Sequence, residues 1–280
     1  MVSSTRDAGE EYLGSLRRVR FPRCSAVSSV VKTFSPWGAQ GHTQGKHEGN
    51  LIRATGTPRV KICCIGSVAE AALAVECGAS ALGLVSDMPS GPGVISDEQI
   101  VEIAANVPPS IATFLLTSRQ RVVDIIEQQR FCRTNTIQIC DHLTHGTHRD
   151  LKDSLPGISV VQVVHVTGPE SVDEAARLAP HVDAILLDSG NQRLAVKELG
   201  GTGRIHDWSL SRSIRERIGI PLFLAGGLTP ENVGQAIEEV GPFGLDVCSG
   251  VRTEGKLDAT KLKQFFRAVR SAGAQFAAAP

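Results

Sequence analysis

Two residues that end apolar runs supply a candidate base and a candidate acid. Cys63 closes Val60-Lys61-Ile62-Cys63, and Asp188 closes Ala184-Ile185-Leu186-Leu187-Asp188, with Ser189 next. Three glycine-rich segments accompany them: Gly200-Gly201-Thr202-Gly203, Ala225-Gly226-Gly227 and Cys248-Ser249-Gly250. Glycine lets backbone N–H groups approach an anion closely. A base, an acid and a phosphate cradle together point to proton-transfer chemistry on a small phosphorylated substrate.

A cysteine acts as a base only with thiolate character, which nearby positive groups or a helix N-terminus provide. Lys61 lies two residues before Cys63 and so shares its strand face, toward the interior. On these residues alone Cys63 can also be a buried structural thiol, and Asp188 a helix cap or half of an ion pair. His142, His165 and His206 are further candidates for the site. No HExxH and no Asp/His cluster stands at metal-ligand spacing, so a metal is not expected.

The elements that must position these groups begin at Arg59. From there short apolar strands alternate with amphipathic helices. Eight strands are expected at 60–64, 81–86, 111–117, 136–141, 159–166, 184–188, 221–225 and 245–248. Helices are expected at 67–77, 97–105, 119–130, 171–178, 208–218, 230–240 and 258–270. Ser96 is a candidate cap, and Thr229-Pro230 reads as a helix start with proline at the first helical position. Continuous apolar strands followed by helices imply a parallel sheet buried on both faces. Eight such units predict an α/β fold, a single (β/α)8 TIM barrel over residues 58–272. An open doubly wound sheet is the alternative, but Cys63-Cys64-Ile65-Gly66-Ser67 carries no GxGxxG fingerprint.

Barrel sites lie at the C-terminal ends of the strands, and the loops after strands seven and eight often bind phosphate. That rule selects Cys63 and Asp188 by position. It also puts Gly226 and Gly227 after strand seven, and Ser249 and Gly250 after strand eight. Gly201, Thr202 and Gly203, after strand six, read as a mobile loop over the site.

Composition narrows the class. The 280 residues are 41% hydrophobic with a net charge of +0, which argues against a nucleic-acid partner. No apolar run approaches the roughly 20 residues that span a bilayer. The seven cysteines lack paired spacing, as expected in a reducing compartment rather than a disulfide scaffold. Residues 1–57 are rich in Ser, Gly, Arg and His and are expected to be a disordered extension or a targeting segment. Residues 273–280 are expected to form a flexible tail. A cytoplasmic monomer or homodimer follows, or an organellar protein if the first segment is a transit peptide.

The motifs together resemble phosphoribosylanthranilate isomerase of tryptophan biosynthesis. They are Val60-Lys61-Ile62-Cys63, Leu186-Leu187-Asp188-Ser189, Gly200-Gly201-Thr202-Gly203 with Asp207-Trp208, Leu224 to Val233, and Asp246-Val247-Cys248-Ser249-Gly250-Val251. The resemblance runs from about Arg59 to Arg270. It implies a cofactor-free barrel that performs an Amadori rearrangement, with Asp188 as general acid and Cys63 as general base. It also implies that Gly226, Gly227, Ser249 and Gly250 hold the phosphate. Three positions differ from the family's pattern. Cys64 stands where the family has Gly, and Gly93 where it has the Arg that binds the anthranilate carboxylate. Gln138-Ile139-Cys140-Asp141 replaces Gln-Leu-His-Gly. On this reading Arg119, Arg204 or a histidine takes over from that Arg, or the substrate differs.

Overall fold

In the computed structural model, residues 56–191 and 194–278 are described. The extension expected over residues 1–57 falls, through residue 55, outside the described residues. Eight parallel strands close a barrel in the order β1 to β8: Arg59–Ile62, Ala81–Val85, Ala112–Thr117, Thr136–Ile139, Ser159–His165, Ala184–Asp188, Leu222–Leu224 and Gly244–Val247. Closure is through β1 and β8, where Ile62 pairs with Val247. Eight α-helices, one after each strand, surround it: α1 Val68–Cys77, α2 Asp97–Ala105, α3 Val122–Cys132, α4 His148–Ser154, α5 Glu170–Leu178, α6 Trp208–Arg217, α7 Val233–Val240 and α8 Ala259–Ala278.

The strands are apolar on both faces because both are covered. In β3, Leu115 points to the helices, while Phe114 and Leu116 point into the barrel. Phe114 meets Phe223 edge-on at 5.9 Å between ring centroids, so aromatic rings fill the interior beneath the site. Helix starts are set by side chains that accept the free amides: Ser67 from Glu70, Ser96 from Gln99 and Asp207 from Ser209.

Three expectations need amendment. Thr229-Pro230 opens a turn rather than a helix. Asn232 stands at the N-cap position of α7, but its Oδ1 accepts the Thr229 amide at 2.8 Å instead of a helix amide, which ties down the preceding loop. A helix not expected from the sequence, α4, links β4 and β5. Its signal is the capping box Thr147/Asp150, in which each side chain accepts the other's backbone amide. Helix α8 continues beyond residue 272 to Ala278.

Candidate active site

The C-terminal ends of the strands open into one pocket. Cys63, Asp188, Gly201, Thr202, Gly203, Gly226, Gly227 and Ser249 all line it, together with Cys64, Gln138, Cys140, Asp246 and Cys248. Gly250 lies one residue beyond Ser249 in a short 3-10 turn, Ser249–Val251.

Cys63 follows the last residue of β1, and its amide donates to the Val247 carbonyl at 2.9 Å. Gly83 on β2 makes room for it. A Cβ there would stand 2.9 Å from Cys63 Sγ and 3.0 Å from Lys61 Nζ, so thiol and ammonium are neighbours. Lys61 is fully buried and ion-paired with Asp246 at 2.9 Å, with its ammonium 5.3 Å from the Phe114 ring centroid. Burial opposes its charge, but Asp246 and then Cys63 outweigh it and hold Lys61 protonated above its ordinary range. A buried positive group, with Asp246 as its counter-ion, therefore lies beside Cys63.

Asp188 ends β6 and is 9% exposed. Burial pushes its carboxyl up to about 6, even though the Ser189 amide donates to Oδ1 at 2.7 Å. Asp246 pushes in the same direction as burial. The group thus carries a proton at far higher pH than a solvated aspartate, as a general acid requires.

The glycine turns after β7 and β8 lie against each other. Gly250 is held so close to the α7 approach that a Cβ would lie 1.9 Å from the Leu228 carbonyl oxygen. Asn232 Nδ2 donates to the Gly227 carbonyl at 2.9 Å and fixes the turn at Gly226-Gly227. The loop after β6 lies over this floor. Thr202 bonds Ser189 through their hydroxyls at 2.7 Å, and a Cβ on Gly203 would be 3.6 Å from Ser249 Oγ. The loop after β2 packs against it, with Ser90 donating to the Lys197 carbonyl at 2.6 Å.

Other candidates lie elsewhere. His165 is buried, and its Nε2 meets the Cys140 carbonyl at 3.2 Å; burial lowers its pKa. His206 is held neutral, burial lowering it to about 4, and bonds Ser211 at 2.7 Å. His142 is at the surface against Asp141. Arg119 reaches Asp97 and the Asp124 carbonyl, and Arg204 pairs with Glu198. None of these five side chains lines the pocket, and among the described residues no Arg or Lys does.

Two residues to which the sequence reading gave no role shape the site. Asp246 holds Lys61; the visible signal was an acidic residue in an otherwise apolar last strand. Arg252 donates to the carbonyls of Cys63 at 3.2 Å and Cys64 at 2.5 Å, and pairs with Glu70 at 3.0 Å. It therefore fixes the backbone that carries the thiol. A single arginine after the glycine loop carries no such signal in sequence.

Fold and pocket together define a (β/α)8 barrel enzyme with its site at the strand C-termini. The family model for N-(5'phosphoribosyl)anthranilate (PRA) isomerase matches residues 60–268, and the chain belongs to that family. N-(5'-phosphoribosyl)anthranilate isomerase 2 of Methanosarcina mazei is 34% identical over 209 residues, covering 74% of this chain and 92% of its own. The Natronomonas pharaonis isomerase is 36% identical, covering 74% and 95%. Phosphoribosyl anthranilate isomerase from Thermotoga maritima superposes with a TM-score of 0.64 at 31% identity, over 76% of this chain and 99% of that one. A phosphoribosyl anthranilate isomerase in complex with reduced 1-(o-carboxyphenylamino)-1-deoxyribulose 5-phosphate gives 0.62 at 30% identity, over 76% and 99%.

Proposed function

We propose that the chain isomerises phosphoribosylanthranilate to carboxyphenylamino-deoxyribulose phosphate in tryptophan biosynthesis, with Asp188 as general acid and Cys63 as general base. Asp188 gives its proton to the furanose ring oxygen as the C1–O bond opens, leaving an iminium. Cys63 then takes the proton from C2. The iminium acidifies that C–H, so a thiolate of modest basicity suffices. The enolamine that results tautomerises to the ketone. Each positioned proton transfer contributes about 100-fold to 10,000-fold. The substrate phosphate binds the backbone of Gly226, Gly227, Ser249 and Gly250, under Gly201, Thr202 and Gly203, and this fixes the sugar over both groups. No cofactor takes part in these steps.

The observation that carries the assignment is that Cys63 and Asp188, at the ends of β1 and β6, line the same pocket as the glycine turns after β7 and β8. The test is genetic. Expression of the full chain in a tryptophan-requiring strain that lacks its own isomerase should restore growth without tryptophan. Soluble protein that fails to restore growth contradicts the assignment.

One observation favours a second reading, another phosphorylated aminosugar as substrate: no cationic side chain among the described residues lines the pocket. We further infer a monomer or homodimer acting in the cytoplasm. The Thermotoga maritima relative is described as dimeric, and no described helix is long and apolar enough to cross a membrane. Light scattering of the purified chain decides the oligomeric state.

A further inference from the structure

Two thiols flank the site without a part in this chemistry. Cys64 directly follows Cys63, and Cys248 directly precedes Ser249. They are 184 residues apart in sequence, yet their sulfurs lie 2.7 Å apart. The closure of the barrel brings them together, because Ile62 on β1 pairs with Val247 on β8. Cys64 is 6% exposed and Cys248 is half-buried, so Cys248 is the outer thiol of the pair. The contact with Cys64 and the charge of Arg252 lower the Cys248 pKa, against burial. Thiolate character and access are what make a cysteine oxidisable.

We propose that Cys64 and Cys248 are a reversible thiol–disulfide modification site, with hydrogen peroxide as oxidant, and that its oxidation lowers turnover. The Cys248 thiolate attacks a peroxide oxygen, the O–O bond breaks, and hydroxide leaves. Cys64 sulfur then attacks the Cys248 sulfenic acid, forming the S–S bond and releasing a second hydroxide. With the two thiol protons the products are one disulfide and two waters. The two electrons lost by sulfur are gained by the peroxide. A dithiol reductant reverses the change.

An S–S bond is about 2.05 Å long, so the pair closes by less than about 1 Å. That motion draws Cys248, and Ser249 with it, toward the segment that carries Cys63. A misplacement on the order of 1 Å costs up to about 100-fold in rate. The turnover part of the proposal rests on the isomerase reading, whereas the bond itself does not.

The test uses the full chain, first reduced with dithiothreitol, then treated with near-stoichiometric hydrogen peroxide. Free thiols are alkylated and the protein is digested without reduction. The expected result is a joined species two hydrogens lighter than its peptides. Fragment ions should place the bond between Cys64 and Cys248, with Cys63 alkylated. Turnover of phosphoribosylanthranilate should fall at least about tenfold, and dithiothreitol should restore it. Cys248→Ser should give no joined species under the same treatment. Alkylation of both Cys64 and Cys248 after peroxide, or a bond to Cys63 instead, overturns the site. A Cys64–Cys248 bond with turnover within twofold of the reduced protein overturns its effect on rate. No turnover in the reduced protein counts against the isomerase reading, and the peptide result still decides the site.

Discussion

Cys64 and Gly93 compete for one space. A Cβ on Gly93 would lie 2.4 Å from the Cβ of Cys64, and both residues hold positive φ, 61° and 77°. The family resemblance in the sequence implies Gly at the first of these positions and Arg at the second. A side chain at 64 excludes one at 93, so on that reading the two departures are one change. Gly93→Arg alone should lower stability, since the new side chain must displace Cys64 and sit in the left-handed region. Cys64→Gly with Gly93→Arg should fold and lower KM for phosphoribosylanthranilate about tenfold or more, from roughly 1.5–3 kcal/mol for a hydrogen bond to a charged group. Steady-state kinetics with thermal melts check this. An unchanged KM in a folded double variant would mean that the carboxylate is not bound on this side.

Asp188→Asn should abolish turnover and stabilise the fold above pH 6. The folded carboxyl titrates near 6 against an ordinary 3.8. Between those values the native state holds more protons than the unfolded chain, so stability falls as pH rises through that window and stays lower above it. Asparagine retains an acceptor for the Ser189 amide and has no charge to bury. The gain at pH 8 should be roughly 2–3 kcal/mol, at about 1.4 kcal/mol per pKa unit, and should shrink toward pH 4. Urea unfolding at the two pH values measures it.

Arg252→Met should reduce kcat more than it raises KM. The guanidinium touches no pocket-lining side chain of the acid–base pair; it holds the carbonyls of Cys63 and Cys64 against Glu70. Its loss leaves the base imperfectly aimed, and a fall in kcat of at least about tenfold is expected. A change confined to KM would assign Arg252 to binding instead of positioning.

Asp246→Ala should destabilise the barrel by about 3–5 kcal/mol, because it leaves Lys61 buried without its partner. Replacing both by apolar residues should recover much of that loss while leaving the enzyme inactive. Denaturant midpoints distinguish the two variants, and equal loss in both would mean that the pair itself stabilises the fold.

The barrel was legible because its strands are short, apolar and spaced by amphipathic helices. Residues 97–105 and 184–188 are elements at the predicted bounds. Cys63, Asp188 and the glycines were legible because barrel geometry brings the ends of distant strands together. Helix α4 was not, since at seven residues it shows little periodicity and only its capping box marks it. Pro230 misled because a proline also fits the turn before a cap. Arg252 and the Cys64–Cys248 contact were invisible for a different reason. Each depends on side-chain reach across the β1–β8 seam, which no local pattern encodes.

The most direct measurement is the loss of fluorescence as purified full-length protein consumes freshly made phosphoribosylanthranilate, with Cys63→Ala as the comparison. The account predicts turnover by the native chain and its near-complete loss in a folded Cys63→Ala variant. Comparable turnover in both would remove Cys63 from the mechanism, and none by folded native protein would contradict the assigned reaction.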